Sequence, residues 1–574
     1  MKTLFVRYLK PYLGRMLLGM SIKFAGSVMD LFLPWILAYV VDTVTPTGNT
    51  KAVVFWGFMM LLCSVLAITG NVVANRMASA VARDSTRAIR HDLFARTLYL
   101  SNAQVDAFTV PSLISRMTTD TYNMHRFVGM VQRLGIRAPI LLIGGILVTL
   151  TLDPALTAVL GSVLPFLVLI IVFRSVRSIP LFRKVQSTAD RMLQVVRENI
   201  TGIRVIKALS KTDYEIRRFH DVNKEVMRKE NKANMTMAIV NPVVNFLLNL
   251  GLVLVVLAGA YRVNAGLTEV GKIMAFLTYF TIILNAMMAV SRFITQFSVA
   301  AASANRIVEV LEAPEDLTVL PAEEVAEPAA APHVEFRSVS FSYNKKENDL
   351  THIDFVLQRG ETLGILGPTG SGKSTIVQLL MRFYDIDSGA ILLDGRDIRT
   401  IPMDELRSRF GVVFQHDMLF ENTVLENISL GRGIGLDAAR KAAEHAQAAA
   451  FIDAAGGYDY KVAAKGANLS GGQKQRLLIA RALAKTPDIL ILDDSSSALD
   501  YKTDAALRSR INTYFAETTA IIVAQRISSI LHADHILVLD DGKALGYGTH
   551  EELLRTCSVY KEIYDLQMGG GLHE

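Results

Sequence analysis

Cysteine is nearly absent: 574 residues contain two, Cys63 and Cys557. They lie far apart in unlike surroundings, which excludes a disulfide framework and suits a chain whose soluble part stays in a reducing cytosol. A cleavable leader is missing too. The opening MKTLFVRYLKPYLGRM has no short apolar core followed by a small-residue cleavage site. Its Phe5, Tyr8, Leu9 and Tyr12 fall at helical spacing with Arg7, Lys10 and Arg15 between them, predicting an amphipathic helix in the membrane interface. No short-period repeat occurs. Polar residues are scarce: 51% of the chain is hydrophobic and mean hydropathy is +0.32, which points to a membrane portion. The net charge of +6 arises from arginines and lysines beside apolar segments, a pattern of membrane topology and not of a nucleic-acid-binding face. The length calls for two or more domains.

Crossing the hydrocarbon core takes about 20 apolar residues as helix. Six segments satisfy this, near 15–44, 52–80, 130–152, 155–178, 238–263 and 272–298. The links near 45–51, 153–154 and 264–271 are short and carry few positive charges. Those near 81–129 and 179–237 are long and basic, with Arg83, Arg87, Arg90 and Arg96, then Arg183, Lys184, Arg191, Arg197, Arg204 and Lys207. The excess of cations places the long links and both termini in the cytoplasm. Structureless loops of that length are uncommon, so their heptad-like apolar spacing predicts membrane helices continuing into the cytoplasm.

From 312 the composition shifts. A Pro-, Ala- and Glu-rich stretch reads as a linker over 312–332. From His333 the apolar runs are short, β-branched and broken by glycine (TLGILG, AILLDG, ILILDD, AIIVAQ, HILVLDDG), alternating with helical stretches. The expected fold is therefore an all-α six-helix transmembrane domain over 1–311, then an α/β domain over 333–574 with a largely parallel sheet, which the glycine-rich motif at 367–375 marks as a P-loop nucleotide-binding domain.

The sharpest motif is Gly367-Pro368-Thr369-Gly370-Ser371-Gly372-Lys373-Ser374-Thr375, between the strand TLGIL and the helix TIVQLLMRF. It matches G-x-x-x-x-G-K-[ST] in the context that motif requires. Glycines let backbone N–H groups curl around phosphate oxygens, and the helix N-terminus adds its positive dipole end. Lys373 would neutralise the outer phosphates of ATP, and Ser374 would offer an oxygen to Mg²⁺. Further on, ILILD ends at Asp493, a carboxylate at the C-terminal end of a buried strand, where a Mg²⁺-orienting residue belongs. An apolar strand ending in Asp is common alone and specific beside a phosphate loop.

Between these lies Leu469-Ser470-Gly471-Gly472-Gln473, followed by KQRLLIARAL. This resembles the signature motif of ABC transporters, and the rest of that family's set appears in order. Tyr343 is placed like the aromatic residue that stacks on adenine. Gln415 sits at the Q-loop position, which implies a Mg²⁺ contact and a place beside the reacting phosphate. Ser497-Ala498-Leu499-Asp500 resembles the D-loop. With six spans and two long cytoplasmic excursions, the whole chain resembles a type IV exporter half. In that family two halves pair, and each ATP lies between one subunit's phosphate loop and the other's signature motif. By the same resemblance, the segments near 103–115 and 209–218 look like coupling helices. The resemblance also implies a cytoplasmic-membrane location in a bacterium, contact with membrane lipids and a hydrophobic small-molecule substrate, with no nucleic-acid partner.

Two departures bear on catalysis. The residue after Asp493, normally a Glu that polarises water, is Asp494, and the usual switch histidine is Gln525. Asp is one methylene shorter than Glu, which withdraws the carboxylate by about 1.5 Å. Gln cannot be cationic, so it stabilises developing phosphate charge less well. Together they predict a site that binds ATP and hydrolyses it slowly, whereas the intact signature motif would serve a second, non-identical half. A third departure is Ala464-Lys465, where exporters usually carry a coupling Glu. The chain thus resembles the degenerate-site half of a heterodimeric multidrug exporter. A homodimeric lipid flippase and an ATP-gated regulatory subunit that does not pump remain alternatives; six spans exclude a soluble ABC ATPase.

For cargo, Asp30 lies mid-span, with Lys23 two turns earlier on a similar face. Such groups face a cavity or a partner. Asp30 reads either as a cation-attracting or gating position or as a structural pair with Lys23 or another chain. Asn245, Asn249 and Asn285 line a polar cavity or bond between helices, and the recurring span methionines suit an adaptable pocket or plain packing. Hydrophobic, cation-leaning compounds are the expected cargo.

Overall fold

The computed structural model describes residues 2–321, 331–415, 417–495 and 499–568. Linker residues 322–330 and the D-loop positions Ser497 and Ala498 lie outside the described residues. The chain divides into two compact units, residues 1–98 with 111–312 and residues 99–110 with 313–574.

The first eleven helices are α1 Lys2–Leu4, α2 Leu13–Tyr39, α3 Thr50–Leu98, α4 Asn102–Phe108, α5 Val110–Ser115, α6 Thr121–Leu152, α7 Pro154–Thr201, α8 Ile203–Ala208, α9 Thr212–Ala238, α10 Val240–Asn264 and α11 Val270–Leu311. Among the described residues, five helical stretches are long and apolar enough to cross a membrane: Phe5–Thr47, Thr50–Leu98, Val110–Leu152, Thr212–Asn264 and Val270–Leu311. The remaining expected span, 155–178, falls inside α7, where the apolar stretch is the shorter Pro154–Ile170. α3 runs 49 residues and α7 runs 48. At about 1.5 Å rise per residue, each is more than twice the roughly 30 Å hydrocarbon core, so both continue beyond it.

Sequence chemistry explains the helix joints and crossings. Asp153 ends α6 and caps α7, its Oδ1 accepting from the Ala155 and Leu156 N–H groups while Oδ2 pairs with Arg262 at 3.1 Å. Glycines set the close crossings. A Cβ on Gly144 of α6 would fall 2.6 Å from Leu31 of α2, and one on Gly145 would fall 2.8 Å from Ile283 of α11. Without hydrophobic drive between helices in lipid, such close approach supplies the packing energy. The first unit's core gathers here, around Leu31, Leu160, Phe276, Tyr279, Phe280 and Ile283.

Among the described residues, the second unit has twelve strands: β1 Val334–Phe341, β2 Leu350–Leu357, β3 Thr362–Leu366, β4 Ser388–Leu393, β5 Arg396–Asp397, β6 Phe410–Val413, β7 Asn422–Thr423, β8 Lys461–Val462, β9 Ile489–Asp493, β10 Thr519–Ala524, β11 His535–Asp540 and β12 Lys543–Gly548. A six-stranded sheet has the order β12-β11-β3-β10-β9-β6, parallel except for the β11–β12 hairpin. Its central strands are near-continuous Ile, Leu and Val because helices or a second sheet cover both faces. The antiparallel sheet β2-β1-β4-β5 packs against it through Phe336, Phe355, Ile365, Ile376 and Ile491.

Two outlying segments belong to this unit. Residues 99–110, with α4, cluster with it: Ser101 Oγ donates to Asp316 at 2.6 Å, Gln104 Nε2 to the Pro314 carbonyl at 2.7 Å, and Tyr384 Oη to Asp106 at 2.6 Å. The segment after α11 is pinned by Arg382, which is 1% exposed. Its guanidinium donates to the Thr318 carbonyl at 2.7 Å, the Arg399 carbonyl at 3.1 Å and Asp385 at 2.8 Å. Arg382→Met should therefore leave two carbonyls unsatisfied and lower the stability of this unit by about 3 kcal/mol. Hydrogen exchange of the β3 and β9 amides should accelerate about a hundredfold; unchanged exchange would show that the buried guanidinium contributes nothing net.

Candidate functional site

The site forms where buried parallel strands end. β3 runs into the loop 367–372, and helix α12 Lys373–Leu380 leaves it. Glycine is required at two points. A Cβ on Gly367 would fall 2.3 Å from the Leu539 carbonyl oxygen, and Gly372 adopts φ +95°. An L-residue rarely takes that conformation. Ser374 and Thr375 follow in the first turn, and Pro368, Thr369, Gly370 and Ser371 complete the loop. Lys373 bends back over it, Nζ donating to the Gly367 carbonyl at 2.8 Å and the Pro368 carbonyl at 2.7 Å. Burial holds its ammonium below the usual lysine range, partly offset by the charges of Asp493 and Asp494.

Asp493 ends β9 and is 4% exposed. Asp494 follows with φ +49°, its N–H donating to the Val523 carbonyl at 3.0 Å. Gln525 leaves the end of β10, and its Nε2 donates to Asp494 Oδ2 at 3.2 Å. The two departing positions are thus hydrogen-bonded to each other. Gln415 lies just beyond β6. Tyr343 packs edge-on against Phe341 and Tyr384, with ring centroids 4.8 and 5.0 Å away. Its hydroxyl donates to Gln378 at 2.8 Å.

A cavity of about 460 Å³ gathers Tyr343, Thr369, Gly370, Gly372, Lys373, Ser374, Thr375, Gln415, Asp493, Asp494 and Gln525. Its volume lies within the range of small-molecule sites, roughly 300–1,000 Å³. Glycine cradle, lone ammonium and carboxylates at strand ends suit a polyphosphate with a divalent cation. Nothing in the sequence singles out Asn344, Glu347, Asn348, Asp349, Asp541 or Gly542, yet they line the same cavity. They come from the β1–β2 connection and the β11–β12 turn; the Asp-Gly pair signals the turn, not its position over the loop.

The signature residues are not part of this cavity. Ser470 caps helix Gly471–Leu483, accepting the Gln473 N–H at 3.3 Å, while the Gln473 side chain accepts the Ser470 N–H at 2.9 Å. Gly471 and Gly472 open its first turn, the first exposed and the second half-buried. Asp500 caps helix Tyr501–Tyr514, and the Thr503 backbone N–H holds its carboxylate below the usual range. At the Ala464-Lys465 departure the chain makes a short turn in which Lys465 adopts φ +59° and donates its N–H to the Leu419 carbonyl.

Comparison with known proteins places these features in a family. Residues 16–287 match the ABC transporter transmembrane region, and residues 350–497 match the ABC transporter model. The ABC transporter ATP-binding protein YfiB of Bacillus subtilis is 35% identical over 565 residues, covering 98% of both chains. A second protein of that organism, YknU, is 33% identical, covering 98% of this chain and 96% of its own. Among solved structures, a bacterial Atm1-family ABC exporter with ATP bound superposes with a TM-score of 0.78 at 26% identity, covering 99% of both chains.

Gly372→Ala tests the loop. Forcing an L-residue to φ +95°, with its Cβ 2.5 Å from Leu350, costs on the order of 1–3 kcal/mol. Titration with a fluorescent ATP analogue should show about a tenfold loss of affinity. Unaltered affinity would mean that binding does not need this backbone conformation.

Proposed function

This chain belongs to the ABC transporter family, and from that premise we propose that it is one half of an ATP-driven exporter whose two nucleotide sites are unequal. It is a membrane protein with a helical transmembrane domain and a nucleotide-binding domain on the cytoplasmic side. Halves of this kind dimerise. The domain limits on this reading are 1–311, 312–332 and 333–574.

Nucleotide binding follows from the loop. Its N–H groups and the N-terminus of α12 receive the phosphates, Lys373 exchanges its two carbonyl acceptors for phosphate oxygens, and Tyr343 offers its ring to adenine. Ser374, Gln415 and Asp493 would hold Mg²⁺, which supplies charge neutralisation of the outer phosphates.

Hydrolysis requires more. A general base must come within about 2.6–3.2 Å of the water it polarises, and a displacement of about 1 Å costs on the order of a hundredfold. Asp494 is one methylene short, and its carboxylate accepts a hydrogen bond from Gln525. Gln525 turns one of its two amide N–H bonds toward that carboxylate and not toward the γ-phosphate position. The single observation carrying the proposal is this 3.2 Å bond between the two departing residues. The exposed signature turn around Ser470, Gly471, Gly472 and Gln473, with Asp500 nearby in sequence, then serves the nucleotide of a partner carrying Glu and His at these positions. The cargo of such a pair is a hydrophobic or amphipathic compound.

Purified alone, the chain should bind ATP and turn it over barely above background. Asp494→Glu combined with Gln525→His should raise its turnover by at least a hundredfold, because its own signature motif is intact. Brisk hydrolysis by the unaltered chain would overturn the unequal-site reading.

A further inference from the structure

Within the membrane unit, polar groups of α2, α3 and α6 gather over about two helical turns. Lys23 of α2 is 3% exposed, and its ammonium donates to Asn75 of α3 at 3.0 Å. Asp30 of α2 does not pair with Lys23; it accepts from Arg137 of α6 at 3.0 Å. One turn before Arg137, Arg133 lies along its own helix, Nε donating to the Gly129 carbonyl at 3.0 Å. Glycine makes room there, since a Cβ at 129 would fall 2.6 Å from Arg133 Nη2. The charges of Arg137, Asp30 and Arg133 all bear on Lys23.

Depth follows from helix rise. Arg137 is 15 residues before the end of α6 at Leu152, which places it about 22 Å from the outer side. Asp30 is level with it; Lys23 and Arg133 lie one to two turns nearer the cytoplasm. Arg137 and Asp30 therefore lie in the inner part of the roughly 30 Å hydrocarbon core, Arg133 at about 28 Å lies near its inner edge, and Lys23 at about 33 Å lies at the cytoplasmic interface. Three cations face one carboxylate: Lys23, Arg133 and Arg137 against Asp30. The other carboxylate of that span, Asp42, is engaged at the far end by the Gly271 and Lys272 N–H groups.

An uncompensated cation in a span costs several kcal/mol unless a counter-charge arrives. Cations that merely set topology snorkel to the lipid headgroups; Lys23 is enclosed instead. Hydrogen-bonding capacity is also unspent. Among the described residues, Arg137 Nε, Gln132 Oε1 and Asn71 Oδ1 are buried without a partner. The first is a donor, and either amide turned over would present N–H₂ in place of its oxygen, Gln132 by giving up its bond to the Val128 carbonyl.

We propose that this cluster is the polar end of the cargo site and that it takes an amphipathic organic anion, a carboxylate, sulfonate or phosphate ester on an apolar body. The proposal rests on the exporter reading above and replaces the cation-leaning cargo that an unpaired Asp30 would have favoured: with Arg137 neutralising Asp30, the surplus charge is positive. Lys23 and Arg133 supply the counter-charge, the unspent amides supply directional bonds, and the surrounding apolar helices accept the rest of the molecule.

Direct binding tests this without a partner or hydrolysis. The full chain, in nanodiscs of phosphatidylcholine alone, is titrated with two dansyl amphiphiles of equal chain length, one ending in carboxylate and one in trimethylammonium. The carboxylate should bind saturably and at least tenfold tighter. Lys23→Gln and Arg133→Gln should each weaken it about tenfold with the cationic probe unchanged, and Asp30→Asn should tighten it, a gain that misfolding cannot produce. ATP-analogue binding serves as the folding control. Displacement by added phosphatidylglycerol supports the site with a lipid anion as occupant; retention supports it with a soluble one. Equal affinity for both probes, binding of neither, or indifference to all three substitutions overturns the proposal. The unequal-site reading stands or falls separately, on ATP turnover.

Discussion

The nucleotide site depends on strand register. β10 pairs in parallel with β3 so that Ala524 faces Leu366, and with β9 so that Val523 faces Asp493. One residue beyond these pairs, Gly367 comes beside Gln525 and Asp494 beside Ala524, so the loop and both departing residues meet at the same end of the strands. A slip of one residue in either ladder would turn the Asp493 side chain to the opposite face and separate it from the loop. The register is held by buried Ile, Leu and Val on both faces, so the polar site is positioned by apolar packing beneath it. This same geometry brings Gln525 within hydrogen-bonding distance of Asp494.

Features carried by short contiguous motifs were legible in the sequence; those assembled across the fold were not. The phosphate loop announces itself because its glycines are needed by local backbone geometry. The membrane helices and the mixed sheet were legible from hydrophobic period and length. The cavity wall formed by Asp349 and Asp541 was not, because tight turns reveal that the chain reverses, not what lies beneath the reversal. The partner of Asp30 was hidden for a related reason. Lys23 is seven residues away on the same helix, about 10.5 Å along the axis, whereas Arg137 reaches Asp30 from a neighbouring helix. Which helix supplies a partner depends on crossings fixed by Gly26, Gly70 and Gly144. Composition records the charges; only packing pairs them.

The nucleotide-binding unit also holds a connection from its cavity to the segment 99–110. Tyr343, on the cavity wall, meets Tyr384 edge-on at 5.0 Å, and Tyr384 donates to Asp106 of α4 at 2.6 Å. Burial and the Asp106 carboxylate raise the Tyr384 phenol above the usual tyrosine range, so it stays protonated and remains the donor. At its other end α4 is held through Ser101 and Gln104 to Asp316 and Pro314. The helix is therefore fixed at both ends to the body that binds nucleotide.

That arrangement would link nucleotide binding to α4. If adenine orders the Tyr343 ring, the edge-on contact restrains Tyr384 and through it Asp106, whether or not the γ-phosphate is cleaved. Energy for a conformational change then comes from differential binding, which requires only that one state of α4 suits the occupied cavity better. The Ala464-Lys465 turn lies outside this route, which runs through Tyr343, Tyr384 and Asp106. On the unequal-site reading proposed above, such a half would hold nucleotide and assist a neighbour, because the residues that would couple binding to α4 are not those that would cleave the γ-phosphate.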